Sequence, residues 1–538
     1  MHLMAGFDYG AHGLIRTARP AIPGGPQTIV ELIDQSVARH PDQEAVVGRY
    51  ARYTYAQLDE VTNRAAHALI ELGVCPGDRV AGCLPNQCDI IVAFLACLRM
   101  GVLWLGVNRP LAAPEKAYML RDSQASVLLA EPEAVAQLGG LRDEVPSVRA
   151  VVTVDAADAA CEWAQLVASA RSDPVHATID PFAPAAIAYT SGTTGYPKGA
   201  VHSQHNLLMP GITARLQGRL GTGSRTGVML PFTVLNLLVL GPVLSFLVDG
   251  TCIAMDRIDA PGMAAWVRDE RITSMSTVPA LMYDLLTHPD VKDDDLATLA
   301  DPGVGGADCP EAFRELYRKR FGKEIRLGYG LTEAPTAVTY SSTEVPLANS
   351  CGPALPHVRI EIHDDDDHEV AVGTDGEICV GPARDGPLAG VYTTMLGYWN
   401  RPDETRRALR GGLLHTGDIG FMDADGNVYV KDRRNDLIIR GGSNVYPAEV
   451  ERVLHDDPRV QACAVVGKSD LRLGERVVGF VQPFPGQTVT ADELRELCLT
   501  QLARYKVPEE FIFVDDFDRT AIGKIKKTAL RDRLAETT

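Results

Sequence analysis

Short, densely apolar runs alternating with stretches of helical periodicity constrain the fold of this chain more than any other feature. Ala45 to Val47, Arg79 to Ala81 and Val127 to Ala130 read as buried strands, whereas Ala56 to Leu72 reads as a helix that ends at Gly73. Strands separated in this way by helices predict an α/β architecture with largely parallel sheets. A helix comes first: Thr28 followed by Glu31 makes a capping box, and Ile29, Leu32, Ile33 and Val37 supply an apolar stripe that stops before Pro41. At 538 residues the chain exceeds one compact unit, so two or more domains are expected.

Composition narrows the class. With 46% hydrophobic and 23% charged residues the chain sits near the globular average, which excludes disorder, collagen and coiled coil. A formal charge of −18 argues against general affinity for nucleic acid or an anionic membrane, so any polyanionic ligand must meet a local site. The 11 Cys never form CxxC, so neither a zinc site nor a disulfide framework is legible, and a reducing cytoplasm fits best. MHLMAGFDYGAHGLIR lacks a basic region followed by an apolar stretch, so no secretory signal is expected. Val228 to Val248 is uncharged over 21 positions but contains Pro231, Asn236, Gly241 and Pro242 without Lys/Arg flanks. It therefore reads as a buried helix lining the core or a pocket, not a membrane span.

A change in charge marks a boundary. Residues 436–538 carry only −2 of the −18, and Pro447 there opens a helix with Val450, Val453 and Leu454 at helical spacing before Pro458. A small α+β domain is expected in this region. HDDDDHE at 363–369 reads as a solvated acidic hairpin tip rather than a metal site, and Gly221 to Gly227 as a surface turn rather than a dinucleotide loop.

The sharpest local signal is Tyr189-Thr-Ser-Gly-Thr-Thr-Gly-Tyr-Pro-Lys-Gly199, in which hydroxyls and glycines alternate before a closing Lys. Backbone N–H groups and hydroxyl donors in such a segment can wrap a phosphate chain, and the bland alternative is a polar turn between strand AAIAY and a following helix. It is not a Walker A loop, because Pro197 and Gly199 flank Lys198 where that pattern requires Gly and Ser or Thr. In Tyr329-Gly-Leu-Thr332-Glu333 a hydroxyl and a carboxylate suit a phosphate oxygen and a hydrated Mg2+ respectively. Asp418 in HTGDIG suits ribose hydroxyls, although taken alone it would read as a turn residue. Lys524, in GKIKK, would by itself read as part of a solvated basic tail.

Five segments in order, YTSGTTGYPKG at 189, GYGLTEA at 328, HTGDIG at 415, DRRNDLIIRGGSNVYPAEVE at 432 and RTAIGKIKK at 519, resemble the adenylate-forming superfamily. That superfamily includes acyl-CoA and aryl-CoA synthetases, firefly luciferase and peptide synthetase adenylation domains, and the resemblance covers residues 28 to 530. It implies a large N-terminal domain of αβ-layered sheets plus a β-barrel-like subdomain (1–434) and a small mobile α+β C-terminal domain (435–538). Its activity would be AMP-forming acyl-CoA ligation: a carboxylate and ATP give an acyl adenylate and pyrophosphate, then the thiol of CoA displaces AMP.

The resemblance assigns ATP and AMP binding to Thr190, Ser191, Gly192, Thr193, Thr194, Lys198, Gly305, Gly306, Ala307, Tyr329, Gly330, Asp418 and Arg433, with Tyr329 stacked on adenine. Thr332 and Glu333 join Lys524 as the catalytic set, and Glu333 faces Mg2+. Lys524 stabilises charge as the carboxylate attacks the α-phosphate. The resemblance further implies that between the two steps the small domain rotates about Asn435, withdrawing Lys524 and bringing Gly441, Gly442 and Ser443 to the thiol tunnel. Thr233, Val234, Asn236, Leu237 and Val304 fall at the acyl pocket, and Arg472 and Arg476 fit CoA phosphates no better than a solvated face.

Two departures from the family pattern matter. The hinge reads Asp432-Arg433-Arg434-Asn435-Asp436 where Gly-Arg-x-Lys or Asp-Asp is usual, which leaves two readings: a tolerant hinge with both half-reactions normal and, as the alternative, an altered balance between the two conformations, with a ligase biased toward thioester formation from adenylate supplied by an upstream adenylating enzyme. PFTVLNLL at 231 lacks the aromatic or His gate after PxF and the Asp that binds a substrate ammonium, which disfavours amino acids and points to a neutral hydrophobic acid. The competing readings are an adenylating enzyme that loads a carrier protein and a catalytically silent acyl-nucleotide binding protein, against which intact Lys524, Glu333 and Thr332 speak. Oligomeric state is not legible.

Overall fold

The computed structural model describes residues 8–175, 177–191, 196–218, 221–304, 311–325, 327–341, 347, 350–433, 437–484, 486–518 and 525–535. The chain folds as a mixed α/β large N-terminal domain and a smaller C-terminal domain. Two layered sheets organise the first. One has seven strands in the order 397–398, 197–203, 184–191, 103–106, 79–83, 127–130 and 150–153. The other has six, 301–304, 274–277, 225–228, 251–254, 44–47 and 52–54. Most of their pairings are parallel, as the alternation requires, because each crossover uses a helix. Arg79–Cys83 and Val127–Ala130 are fully paired central strands.

The capping box at Thr28 forms on one side only. Thr28 Oγ1 accepts the Glu31 N–H at the start of Ile29–Arg39, but Glu31 returns to the Gln27 N–H instead. The uncharged stretch from Val228 is helical over Leu235–Leu238, Val239–Val243 and Leu244–Leu247, a mostly buried run with Phe246 inaccessible and Asn236, Leu240 and Leu244 half-buried. Among the described residues no helix is long and apolar enough to cross a membrane.

Two local expectations need correction. The glycine- and hydroxyl-rich segment does not lead from a strand into a helix: Pro197–Ser203 returns antiparallel to Pro184–Ser191, with Lys198 opposite Thr190, and the helix begins only at Gln204. Ladder pairing wins because Ala200, Val201 and His202 are buried against the sheet. The turn at 221–224 is real, but Gly227 lies in the strand Arg225–Val228.

An antiparallel four-stranded sheet of Val358–His363, Gly376–Pro382, Leu414–Met422 and Val428–Arg433 occupies the region expected to be barrel-like. The acidic run begins at His363, the buried last residue of the first strand, and continues as an exposed turn over 364–369. The small domain has a sheet of 443–445, 438–440, 474–483, 460–470 and 510–513. Pro447–Leu454 packs on it through Val450, Val453 and Leu454, as the spacing predicts.

Candidate functional site

Three segments of the large domain converge, each fixed by part-buried polar contacts. The first is the hairpin of 184–203. Tyr189 reaches from it to the helix Ala113–Asp122, donating its O–H to Asp122 Oδ2 at 2.8 Å, while Arg401 holds Asp122 Oδ1 at 2.8 Å. Burial and the Asp122 carboxylate push the Tyr189 phenol up, so it stays a protonated donor. Opposite Thr190, Lys198 places Nζ 5.0 Å from the ring centroid of Tyr398. Burial lowers the Lys198 pKa.

The second system is the loop of 327–341, which closes on itself where Val338 N donates to Tyr329 O at 2.8 Å. Gly330 is required there, because a Cβ would collide with the Thr336 carbonyl. Within this loop Thr332 and Glu333 are half-buried, and Glu333 Oε1 accepts the Tyr398 O–H at 2.7 Å. Burial raises the Glu333 carboxyl; the Tyr398 hydroxyl opposes that rise and Asp418 adds to it. Lys198, Tyr398 and Glu333 therefore form one cluster. Tyr398 was not among the residues singled out from sequence, since its partner lies 65 positions away and GYW carries no chemical signature of its own.

The third system is the bulged stretch 416–418 of the strand Leu414–Met422, where Gly417 takes φ +77. Tyr329, itself buried, donates its O–H to Asp418 Oδ2 at 2.6 Å, and strand pairing sets the Arg433 backbone opposite Asp418. Glu377 supports this bulge: Oε1 accepts the Gly417 N–H at 2.9 Å, and Oε2 lies 3.1 Å from His415 Nδ1 and 3.0 Å from Arg410. Burial would raise the Glu377 carboxyl, but His415 and Arg410 outweigh it and hold it at about 2. Glu377, Cys379 and His415 are close enough to share a metal ion. Arg410 already neutralises Glu377 and burial pushes the Cys379 thiol up to about 12, so the donor set suits a hydrogen-bonded support better than a cation site.

Around the segment at 231, Thr233 is buried with Oγ1 3.2 Å from Asn108 Oδ1, Leu237 is buried, Asn236 is half-buried and Val234 is 40% exposed. Val304 is buried at the end of Asp301–Val304. The Thr233 hydroxyl is thus already satisfied by Asn108.

The small domain meets this surface. A Cβ at Gly442 (φ +81) would lie 2.5 Å from Val278, and Tyr446 OH stands 3.5 Å from Thr190 Oγ1. Ser443 pairs with Arg440 across the short hairpin that carries Gly441 and Gly442. Arg472 is bound to Asp284 at 3.2 Å, and Arg476 to Glu509 at 2.8 Å. Both arginines are exposed and already paired with carboxylates, which favours the solvated-face reading.

Gly192, Thr193, Thr194, Gly305, Gly306, Ala307, Asn435 and Lys524 lie outside the described residues, as do the side chains of Ser191 and Arg433.

Residues 33–399 match the AMP-binding enzyme family, and residues 449–524 match the AMP-binding enzyme C-terminal domain. The chain is 34% identical over 517 residues to the indoleacetate–CoA ligase of Aromatoleum aromaticum, covering 94% of this chain and 98% of that one. It is 33% identical over 516 residues to the fatty acid–[acyl-carrier-protein] ligase ScoC of Streptomyces coeruleorubidus, covering 94% and 96%. Among solved structures it resembles a double mutant of the o-succinylbenzoate CoA synthetase MenE of Bacillus subtilis bound with its product analogue OSB-NCoA, with a TM-score of 0.82 and 27% identity over 93% of this chain and 98% of that one.

Proposed function

The chain belongs to the AMP-binding enzyme family and is an ATP-dependent, AMP-forming acyl-CoA ligase, and from that premise we propose that its acid substrate is neutral and hydrophobic. The observation that carries this is the 231–238 segment: its sequence has no carboxylate, and the Thr233 hydroxyl is engaged with Asn108. A substrate ammonium buried there would lack a counter-charge, at a cost of several kcal/mol. Thr233, Val234, Asn236, Leu237 and Val304 form the acyl pocket in this reading.

The acid's carboxylate oxygen attacks the α-phosphorus of ATP, the bond to the bridging oxygen breaks, and pyrophosphate leaves with that electron pair. Little covalent help is needed from protein; positioning and charge neutralisation dominate. Thr190, Ser191, Gly192, Thr193, Thr194 and Lys198 hold the phosphates, and Thr332 hydrogen-bonds a phosphate oxygen. Asp418 accepts from the ribose hydroxyls, with Arg433 beside it. Gly305, Gly306, Ala307, Tyr329 and Gly330 enclose the adenine, and Lys524 neutralises charge at the α-phosphate. Mg2+, when bound, would stabilise the phosphate charge, and Glu333 would hold it. The residue fits that part: burial alone disfavours its charged form, and a divalent cation reverses the penalty.

In the second step the CoA thiol attacks the acyl carbon, loses its proton, and AMP leaves. We place the domain boundary at 434/435, with rotation about Asn435 exchanging Lys524 for the loop of Gly441, Gly442 and Ser443. That reading is supported by Gly442 against Val278 and Tyr446 beside Thr190. The cysteine pattern supports a cytoplasmic enzyme. A second reading, delivery to a carrier-protein thiol instead of CoA, is favoured by the likeness to ScoC.

The test is a panel of aliphatic, aromatic and polycyclic acids, with amino acids as controls, assayed for AMP release and thioester mass with CoA and with a phosphopantetheinylated carrier. Turnover of apolar acids with CoA supports the proposal. Preference for amino acids overturns the substrate class, and AMP release only with carrier overturns the acceptor.

A further inference from the structure

We infer that Glu115 and Lys506 are positioning residues for the thioester step, fastening the small domain in the arrangement that brings Gly442 and Tyr446 to the large domain; this rests on the two-step reading above. Glu115, on the large domain's helix Ala113–Asp122, makes contacts on both oxygens. Oε1 accepts from Lys506 Nζ at 2.7 Å, and Oε2 accepts the Ala503 N–H at 2.7 Å together with the Ala112 N–H at 2.8 Å. Lys506 Nζ also donates to Glu449 Oε2 at 2.7 Å. The cluster is buried, with side-chain exposures of 7% for Lys506, 12% for Glu115 and 5% for Glu449.

The chemistry divides unequally between the domains. Lys506 and Glu449 both belong to the small domain, so they move together and remain a neutral pair in any orientation of it. Glu115 belongs to the large domain, so rotation removes it from Lys506 and Ala503 and returns its carboxylate to water. Buried ionic contacts demand good geometry, and one that bridges two bodies favours the single orientation in which that geometry is met. The placement is apt for the thioester step. Glu449 lies in the first turn of the helix Pro447–Leu454, whose N-cap is Tyr446, and the far end of the Glu115 helix is Asp122, which anchors Tyr189 and the phosphate-wrapping hairpin. One helix thus ties the small-domain loop to the nucleotide loop, and a bias between orientations transmits directly into the ratio of the two half-reactions.

Glu115→Gln tests the inference, since it keeps an oxygen for the amides and removes the charge. In single-turnover experiments on the full chain, thioester formation from synthetic acyl adenylate and CoA should fall about tenfold, while pyrophosphate release from acid and ATP is unchanged or faster. An equal fall in both, or no fall in the thioester step, overturns the assignment. Hydrogen exchange supplies a readout independent of chemistry: peptides covering 441–446 and 503–506 should exchange faster in Glu115→Gln, with strand Val460–Asp470 unaltered. Faster exchange in a chain that turns over no acid would count against the ligase reading and leave the fastening intact. Unaltered exchange at both peptides would overturn the fastening whatever the activity.

Discussion

The two halves of the candidate site are held in place by different physics. On the large-domain side, Tyr189 is locked by Asp122 and Arg401, Glu333 by Tyr398, and the strand bulge at Asp418 by Tyr329 and Glu377, each through part-buried hydrogen bonds of 2.6 to 2.9 Å. On the small-domain side, Gly442 rests on Val278 by packing, Tyr446 stands at the outer limit of hydrogen bonding from Thr190, and Arg472 meets Asp284 at the exposed surface. Among these contacts between the domains only Glu115 with Lys506 is both ionic and buried. A preorganised half that stays and a lightly attached half that can leave are what a two-step enzyme needs, since one surface must serve two transition states.

Lys524→Ala should have the largest effect. In the role proposed for it, Lys524 is a preorganised cation at the α-phosphate whose loss would cost roughly 3 kcal/mol or more, so adenylation should fall by about two orders of magnitude while thioester formation from supplied adenylate survives. Rapid-quench assays of each half-reaction check this, and an equal loss in both breaks the division between the halves.

Glu377→Gln probes the fixed half. The Glu377 carboxyl is held at about 2 against an ordinary 4.5, so its contribution is present above about pH 4.5 and is lost as pH falls through about 2. Denaturant unfolding between pH 2 and 5 should show that acid limb in the parent, on the order of 3 kcal/mol, and a flatter one in the variant. With the strand bulge at Gly417 loosened, the KM for ATP should rise about tenfold with a smaller change in kcat; an unchanged KM would detach Glu377 from the proposed nucleotide site.

Thr233→Asp sharpens the substrate assignment. A charge placed beside Asn108 in a buried position should lower kcat/KM for apolar acids several-fold, while ATP binding measured by calorimetry stays constant. Undiminished turnover would remove Thr233 from the pocket. The smallest effect is expected from Asp432→Gly with Asn435→Lys, which restores the family's usual hinge residues. A selective gain in adenylation of a few-fold would reveal a bias in the parent toward the thioester step, and equal half-reactions in the parent would end that idea.

What was legible in the sequence follows from what is local. Val127–Ala130 is apolar on both faces and reads as a central strand, and Pro447 with three apolar residues at helical spacing fixes both ends of its helix. Pro197–Ser203 was hidden because Lys198, His202 and Ser203 look like loop residues, and only the ladder to Pro184–Ser191 makes them a strand. Tyr398 and Glu115 were hidden for a different reason: their partners are 65 and 391 residues away, and no local spacing encodes such contacts. The five motifs were legible because each sets its distinctive residue types side by side within a few positions. The contacts that orient those motifs can be met by any chain that places a donor and an acceptor together.

Gly442→Ala tests the exchange of the two halves most directly, compared with Lys524→Ala in the same pair of single-turnover assays. The added Cβ meets Val278 in the arrangement described and sits at φ +81, which resists a side chain. The account predicts opposite defects: Gly442→Ala slows thioester formation from synthetic adenylate at least tenfold and spares adenylation, and Lys524→Ala does the reverse. Parallel losses in both half-reactions for both variants would contradict it.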